Sequence, residues 1–194
     1  MSVQAGQDAP DFTLKNTDMQ DVTLSGWRGQ KNVVLLFVPF AFTGVCTTEL
    51  CSVRDNLNNY ANLNAEVLAI SVDSPFAQKQ WKEKEHLNFT LLSDFNREAC
   101  QAYGAYFDNL RGLQGVAKRA AFVIDKTGKV RYAEVLESPG NLPNFDKIQE
   151  ALQKKGVASK LIIFADEGHG AAKRPNRVME FGHLLGFFKD QLKR

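Results

Sequence analysis

Three side chains at close spacing, Pro39, Thr43 and Cys46, could together support nucleophilic chemistry at sulfur. The thiolate is the reactive form of cysteine, so a site of this kind must lower the cysteine pKa. The first turn of a helix favours an anion, because its backbone N–H groups are unpaired and its dipole end is positive. We predict that Thr43 and Gly44 begin a helix that carries Cys46 in its first turn. The Thr43 hydroxyl then lies within reach of the sulfur, and Pro39 shields the sulfur from bulk water.

The element that must position this segment is an apolar run at residues 33–38, which predicts a strand buried on both faces. Pro39 ends the strand because proline has no N–H for the ladder. Strands and helices alternate along the chain, which indicates an α/β domain. Further strands are predicted at residues 22–24, 66–73, 89–93, 119–125 and 130–137, helices at 47–65, 74–85, 94–103 and 144–155, and a loop at 107–118.

The spacing of Pro39, Thr43 and Cys46 resembles the active-site signature of the peroxiredoxins, which are thiol peroxidases. The order of elements is also similar to that family over residues 1–152. The resemblance implies an α/β, thioredoxin-like fold with a central mixed β-sheet flanked by helices. It also implies a thiol-dependent peroxidase of antioxidant defence that reduces hydrogen peroxide and organic hydroperoxides, with Cys46 oxidised to a sulfenic acid. Taken alone, Cys46 could equally be a buried structural cysteine.

The same resemblance assigns roles to two further residues and leaves the site without a metal or an organic cofactor. Arg119 opens a predicted strand at the position where the family carries its active-site arginine. Glu49, three residues after Cys46, matches a polar family position that orients this arginine. Thr43 and Arg119 are thereby expected to polarise the peroxide and stabilise the thiolate.

The second cysteine, Cys51, could resolve the sulfenic acid, and its five-residue spacing from Cys46 resembles that of the Q-type peroxiredoxins. Residues five apart in a helix have Cα atoms roughly 8–9 Å apart and point about 140° away from each other. A disulfide needs a Cα separation of about 4.4–6.8 Å. The first turns must therefore unwind, which Gly44 and the threonines at 47 and 48 make easier.

The alternative is an external thiol that resolves Cys46. Residues 42–46 and 132–143 resemble the alkyl-hydroperoxide-reductase-E-type branch, where a one-cysteine design is common. The third cysteine, Cys100, is expected to pack in the core. Zinc binding by Cys46 and Cys51 is not favoured, because no paired Cys or His follows at ligand spacing.

Composition bounds the class of protein. The 194 residues are 44% hydrophobic and 24% charged, as in ordinary soluble domains, and the net charge of +2 points to no particular partner. We therefore expect neither nucleic acid nor membrane as a partner. No apolar run approaches the roughly 20 residues of a membrane span. Residues 1–11 lack the features of a signal peptide, so a cytoplasmic location is expected. The family resemblance adds a homodimer and a thioredoxin-like or low-molecular-weight thiol as reductant.

The last 42 residues differ in origin from the rest. Residues 153–194 hold nine basic and four acidic side chains, whereas residues 1–152 hold 15 and 18. Residues 155–194 resemble the C-terminal end of an α/β-hydrolase of the prolyl-oligopeptidase type, through a turn that carries His169. Hydrolase activity is not expected, because a histidine base needs a serine nucleophile and the chain has no Gly-x-Ser-x-Gly elbow. We predict a peroxiredoxin domain at 1–152 and a basic extension at 153–194 with a strand at 161–165 and a helix at 177–192.

Two other functions remain open at this point. A thiol–disulfide oxidoreductase on the same fold predicts a Cys-x-x-Cys pair, and Cys46 and Cys51 have a different spacing. A non-enzymatic redox sensor has the same reactive Cys46 but slow peroxide turnover, which the sequence alone does not distinguish.

Overall fold

The computed structural model describes residues 2–153 of the chain. Its centre is the strand β3 (Asn32–Phe37), in which all six residues are buried. The strand is apolar on both faces because both faces are covered, as the sequence predicted. It ends before Val38 and Pro39, one residue earlier than expected.

A mixed sheet surrounds this strand. Its order is β2-β1-β5-β4-β3-β8-β9, and β6 and β7 form a separate short pair. Strands β3, β4 and β5 run parallel to one another, and the other pairings are antiparallel. The remaining strands are β1 (Thr13–Asn16), β2 (Asp21–Thr23), β4 (Ala65–Ser71), β5 (Thr90–Ser93), β6 (Tyr106–Phe107), β7 (Val116–Ala117), β8 (Ala120–Ile124) and β9 (Val130–Val135).

Helices cover both faces of the sheet and give it two apolar layers. The helices are α1 (Gly44–Asp55), α2 (Leu57–Asn62), α3 (Pro75–Lys84), α4 (Glu98–Ala102) and α5 (Phe145–Gln153). One layer joins Leu50 of α1, Trp81 of α3 and Ile148 of α5. The other contains Cys100 of α4 and Tyr103. Successive side chains of a strand point to opposite faces of the sheet, so each covered face contributes one apolar layer. The packing of both layers holds the ends of the strands in place.

Three local predictions were wrong. The helix expected at residues 47–65 is two helices, because it ends at Asn56 within an asparagine-rich stretch of poor helix formers. The helix expected at 94–103 begins only at Glu98, since the Asp94 carboxylate accepts the N–H groups of Ala99 and Cys100. The loop expected at 107–118 includes β7, whose partner β6 begins at Tyr106.

The predicted extension at 153–194, with its strand at 161–165, its helix at 177–192 and His169, lies almost wholly outside the described residues. Within the described range, α5 packs Ile148 and Leu152 into the same apolar layer as α1. No helix between residues 2 and 153 is long and apolar enough to cross a membrane.

Candidate active site

Cys46 lies in the first turn of α1, as predicted. The helix begins at Gly44 after Thr43, whose backbone is extended, and the Thr47 N–H donates to the Thr43 carbonyl oxygen at 2.9 Å. Only 1% of Cys46 is exposed, and it packs in the apolar layer beside Leu50 and Val53. The sulfur is therefore held in a largely water-excluded place at the positive end of a helix.

Arg119 meets this sulfur although it lies far away along the chain. Its Nη2 donates a hydrogen bond to Cys46 Sγ at 3.3 Å. The sheet register explains the meeting: Phe37, at the end of β3, pairs with Ala120, at the start of β8. Arg119 precedes Ala120, so it stands beside the point where the chain leaves β3 for α1. A guanidinium in this place stabilises negative charge on the sulfur.

Glu49 is the second partner of Arg119. It lies one turn after Cys46 on α1, so both side chains project from one face of the helix. Its Oε2 accepts a hydrogen bond from Arg119 Nη1, and both side chains are almost completely buried. Its Oε1 has no hydrogen-bond partner among the described residues.

The pKa values of this pair are shifted by burial and by charge. Burial raises the pKa of Glu49 to about 7, although the charge and hydrogen bond of Arg119 oppose the shift. Burial acts to lower the pKa of Arg119, but the charges of Glu49 and Cys46 outweigh it and raise that pKa above its usual range. Arg119 therefore stays a cation, and Glu49 is the titratable member of the pair.

Arg119 has a third partner, the backbone of Pro139, which no pattern in the sequence marks. The Pro139 carbonyl oxygen accepts from Arg119 Nη2 at 2.9 Å and from Nε at 3.3 Å. The guanidinium is thus held by a carboxylate at Nη1 and by a carbonyl at Nε and Nη2, and Nη2 also donates to Cys46 Sγ. Ser138, Pro139 and Gly140 are residue types common in loops. That the Pro139 carbonyl points toward Arg119 depends on the packing of the whole fold.

Pro39 and Thr43 lie in the loop of residues 39–43, which leads from β3 to α1. Pro39 is buried directly after the central strand, as its proposed shielding role requires. Thr43 is exposed, and its hydroxyl donates to the Phe40 carbonyl oxygen at 3.1 Å. The sequence had placed that hydroxyl against the Cys46 sulfur, and the structure gives it this backbone partner because a local bond within the turn competes for it.

Trp81, a buried core residue of α3, also touches the start of α1. Its ring is buried, and its Nε1–H donates to the Thr47 hydroxyl at 3.2 Å. Thr47 follows Cys46 directly, so this bond ties the first turn of α1 to α3.

Cys46, Cys51 and Cys100 are free thiols. Cys51 is half-buried on the same continuous helix as Cys46, so the unwinding inferred from helix geometry is needed for a disulfide between them. Cys100 is completely buried in the opposite apolar layer, as predicted, and burial raises the pKa of its thiol well above the usual range.

Within residues 2–153, no group of three or more His, Cys, Asp and Glu side chains is arranged to hold a metal ion. What the site offers instead is a sulfur nucleophile, a fixed guanidinium and a helix N-terminus. These three can bind and polarise a small molecule with electronegative oxygen atoms.

Comparison with known proteins agrees with this chemistry. Residues 5–133 match the AhpC/TSA family, and residues 143–194 match the prolyl oligopeptidase family. The second match confirms the resemblance of the C-terminal segment and begins at residue 143, before the 155 expected. Helix α5 therefore lies inside that match while it packs against the same sheet as α1.

Individual relatives are similar over most of the chain. Alkyl hydroperoxide reductase E of Mycobacterium tuberculosis is 43% identical over 142 residues, which cover 72% of this chain and 90% of that protein. Peroxiredoxin Bcp of Escherichia coli is 36% identical and covers 67% of this chain and 84% of its own length. The crystal structure of peroxidoxin BcpB from M. tuberculosis has a TM-score of 0.72 at 29% identity, covering 80% of this chain and 99% of that one.

Proposed function

Because the chain belongs to the AhpC/TSA family and is therefore a thiol-dependent peroxidase, we propose that Cys46 is the residue that attacks the peroxide. The observation that carries this proposal is the 3.3 Å hydrogen bond from Arg119 Nη2 to Cys46 Sγ inside a buried first helical turn. Neither Cys51 nor Cys100 has a hydrogen bond from a guanidinium among the described residues. The thioredoxin-like fold, inferred from the sequence, agrees with the similarity to solved peroxiredoxin-type structures.

The proposed reaction is a two-electron oxidation of the Cys46 sulfur by a hydroperoxide. The Cys46 thiolate attacks the terminal oxygen of the hydroperoxide, a sulfur–oxygen bond forms and the oxygen–oxygen bond breaks. The sulfur is oxidised by two electrons to a sulfenic acid. The leaving alkoxide or hydroxide takes a proton and departs as alcohol or water. Arg119 stabilises the negative charge that develops on the two oxygens, and its fixed orientation removes the need to reorganise at that moment.

Three residues support that step in this proposal. Glu49 and the Pro139 carbonyl hold the guanidinium plane of Arg119 in place. Pro39 excludes water from one side of the sulfur, which strengthens the charge interactions there. The exposed Thr43 hydroxyl turns from Phe40 to donate to the bound peroxide.

The sulfenic acid condenses with a second thiol, which forms a disulfide and releases water, and a reductant thiol then reduces that disulfide by exchange and regenerates the Cys46 thiol. Either Cys51 or an external thiol is the second thiol, and the reductant is a thioredoxin-like protein or a low-molecular-weight thiol. The half-buried Cys51 is available only after the start of α1 opens. A Cys51→Ser variant that keeps full turnover with an external thiol assigns the one-cysteine cycle.

We further propose a cytoplasmic homodimer whose subunits pair through the active-site face. Phe42 and Val45, both exposed, stand at the start of α1 and provide apolar surface for such pairing.

We also propose a peroxidase domain at residues 1–152 with an extension at 153–194. The burial of Ile148 and Leu152 in the main core supports a boundary after α5.

The experiment that tests the function is steady-state peroxide consumption by the full chain, with dithiothreitol as reductant and with hydrogen peroxide or tert-butyl hydroperoxide as substrate. We expect many turnovers per protein molecule for wild type and none for Cys46→Ser. A single turnover with no recycling supports the sensor alternative. Full activity in Cys46→Ser overturns the assignment of the nucleophile.

A further inference from the structure

We infer that Asp73 is a positioning residue for the peroxidase site, because its carboxylate holds the loop of residues 39–43 in place. This inference rests on the proposed role of Cys46. The Ala41 N–H donates to Asp73 Oδ2 at 2.8 Å. The preceding ladder bond, from the Val38 N–H to the Ile70 carbonyl, is the last before Pro39, which has no N–H to offer. The Ala41 N–H therefore ties the loop to Asp73, which lies two residues after the end of β4.

The Asp73 carboxylate is itself fixed from behind. The Ser71 hydroxyl donates to the same Oδ2 at 2.8 Å, and the Gln78 side-chain amide donates to that hydroxyl at 2.9 Å. The Gln78 amide also donates to the Leu92 carbonyl oxygen at 2.8 Å. Ser71 and Gln78 are 1% exposed. A chain of buried and partly buried hydrogen bonds therefore runs from α3 and the sheet to Ala41, and such a chain makes the group at its end more rigid.

The loop needs this support because part of its backbone is strained. Phe42 has a φ of +60°, a left-handed conformation that a non-glycine residue adopts only at a cost. Its ring centre lies 6.2 Å from that of Trp81, and the Lys84 ammonium lies 5.7 Å from it. Strained backbone persists only where its surroundings hold it. Asp73 holds the residue before Phe42, and Trp81 holds its side chain.

Loss of the Asp73 bond is expected to free Pro39 and Thr43 without disturbing the charge partners of the sulfur. Glu49 and Cys46 are held by α1, and Arg119 is held by its place beside β8 and by Pro139. The two reactions of Cys46 should then separate. Attack on a peroxide needs the loop to place the oxygens, whereas alkylation by iodoacetamide needs only the thiolate and access to it.

The test compares both reactions in single-turnover measurements on the full chain. For Asp73→Ala we expect the rate constant of Cys46 oxidation by peroxide to fall at least about tenfold, because a misplacement of reacting groups by about 1 Å can lower a rate by about 100-fold. Alkylation by iodoacetamide should stay unchanged or become faster. A purely structural role lowers the melting temperature and slows both reactions in parallel, and that result overturns the inference, as does peroxide oxidation at the wild-type rate.

Rescue by a conservative variant separates the hydrogen bond from the charge. Asp73→Asn keeps an acceptor oxygen for the Ala41 N–H, so oxidation is expected to remain within about threefold of wild type. A loss in Asp73→Asn equal to that in Asp73→Ala contradicts the inference. If Asp73→Ala does not fold, Ser71→Ala replaces it, because this change removes one hydrogen bond to the Asp73 carboxylate without altering the loop. In Ser71→Ala, peroxide oxidation should slow by a smaller factor than expected for Asp73→Ala, while alkylation stays unchanged.

Asp18→Ala is the matched control, because Asp18 is an exposed carboxylate that pairs with Lys79 of the same helix α3. It is expected to leave both reactions unchanged. Wild type and Cys46→Ser are measured alongside. If wild type is not oxidised at Cys46, the proposed function fails and this inference with it. If wild type is oxidised and Asp73→Ala is oxidised at the same rate, only the inference fails.

Discussion

Arg119 donates a hydrogen bond to the Cys46 sulfur across 3.3 Å, and it does so from a position 73 residues further along the chain. The antiparallel pairing of β3 with β8 brings the two residues together, because the end of β3 lies beside the start of β8. Burial at this place matters because charge interactions strengthen as water is excluded. The guanidinium is shared with Glu49, so the sulfur and a carboxylate face the same cation.

Replacement of Arg119 tests that relationship. Arg119→Lys keeps a positive charge but loses the planar fork that reaches Cys46, Glu49 and Pro139 together. We expect the rate constant for Cys46 oxidation by hydrogen peroxide to fall about 100-fold, as when one donor to a developing charge is removed. Stopped-flow fluorescence or quenched mass analysis measures the rate.

Lys118→Ala provides the control for Arg119, since it removes a neighbouring cation whose partner is the exposed Glu137. That variant should keep the wild-type rate within about twofold, because exposed ion pairs contribute little. Equal losses in the two variants contradict a specific role for the Arg119 donor.

Glu49 should make stability depend on pH in an unusual direction. Burial raises its pKa from 4.5 to about 7 in the folded chain. Between those values the folded state binds more protons than the unfolded state, so the contribution of Glu49 to the free energy of unfolding decreases as pH rises toward 7 and is constant above it. Over the whole interval the decrease is about 3 kcal/mol, from the pKa difference and the energy per pKa unit.

Urea unfolding of wild type and Glu49→Gln at about pH 5 to about pH 8 isolates this contribution, because the glutamine does not titrate. Wild type should lose stability relative to the glutamine variant as the pH rises. No relative change over that range means that the charge of Arg119 dominates and that the pKa of Glu49 is not raised, because a lowered pKa alters stability only below about pH 5. Tyr60, whose pKa is raised by burial and by the charge of Glu49, is common to both proteins.

Thr47 should control how readily the first turn of α1 opens. Thr47→Val removes the acceptor for the buried Trp81 Nε1–H, and an unpaired buried donor costs about 1–3 kcal/mol. Amide hydrogen exchange over residues 47–50 is expected to become about fivefold faster, the equivalent of roughly 1 kcal/mol. This opening is the motion that Cys51 needs to reach Cys46.

Thr48→Val is the matched control for Thr47→Val, because its exposed hydroxyl donates only to the Gly44 carbonyl oxygen of the same turn. Amide hydrogen exchange over residues 47–50 should change little in Thr48→Val. If the two variants exchange alike, the Trp81 bond does not hold the turn.

Cys100 should play no part in the reaction. It is completely buried in the layer opposite to Cys46. Cys100→Ala is expected to consume peroxide within about twofold of wild type while it loses about 1–2 kcal/mol of stability through the missing core atom. Peroxide assays and urea unfolding measure the two effects. A large loss of activity at unchanged stability contradicts a packing role.

The sequence predicted the parts of this site that depend on local pattern. The apolar run before Pro39 predicted the central strand, and the residues after it predicted the helix that carries Cys46. Arg119 and Glu49 followed from family resemblance, and they lie against each other in the structure. Such features are readable because strand and helix signals are encoded by neighbouring residues.

The remaining parts depend on tertiary contacts or on the detailed geometry of a turn. The Pro139 carbonyl is a backbone atom, and no side-chain type marks it as a partner of Arg119. The Thr43 hydroxyl had two competing acceptors, and its choice of Phe40 reflects the turn it sits in. The bond between Ala41 and Asp73 spans 32 residues and involves an N–H that any residue other than proline provides. Only the assembled fold reveals these three contacts.

The most direct measurement is mass spectrometry of the reduced full chain after one equivalent of hydrogen peroxide, with dimedone present to trap sulfenic acid and peptide mapping to locate it. We expect a dimedone adduct on Cys46 in wild type, or a Cys46–Cys51 disulfide that becomes a Cys46 adduct in Cys51→Ser. Cys46→Ser should show neither. An adduct on Cys51 or Cys100 in wild type, or rapid oxidation of Cys46→Ser, contradicts the assignment of Cys46 as the nucleophile.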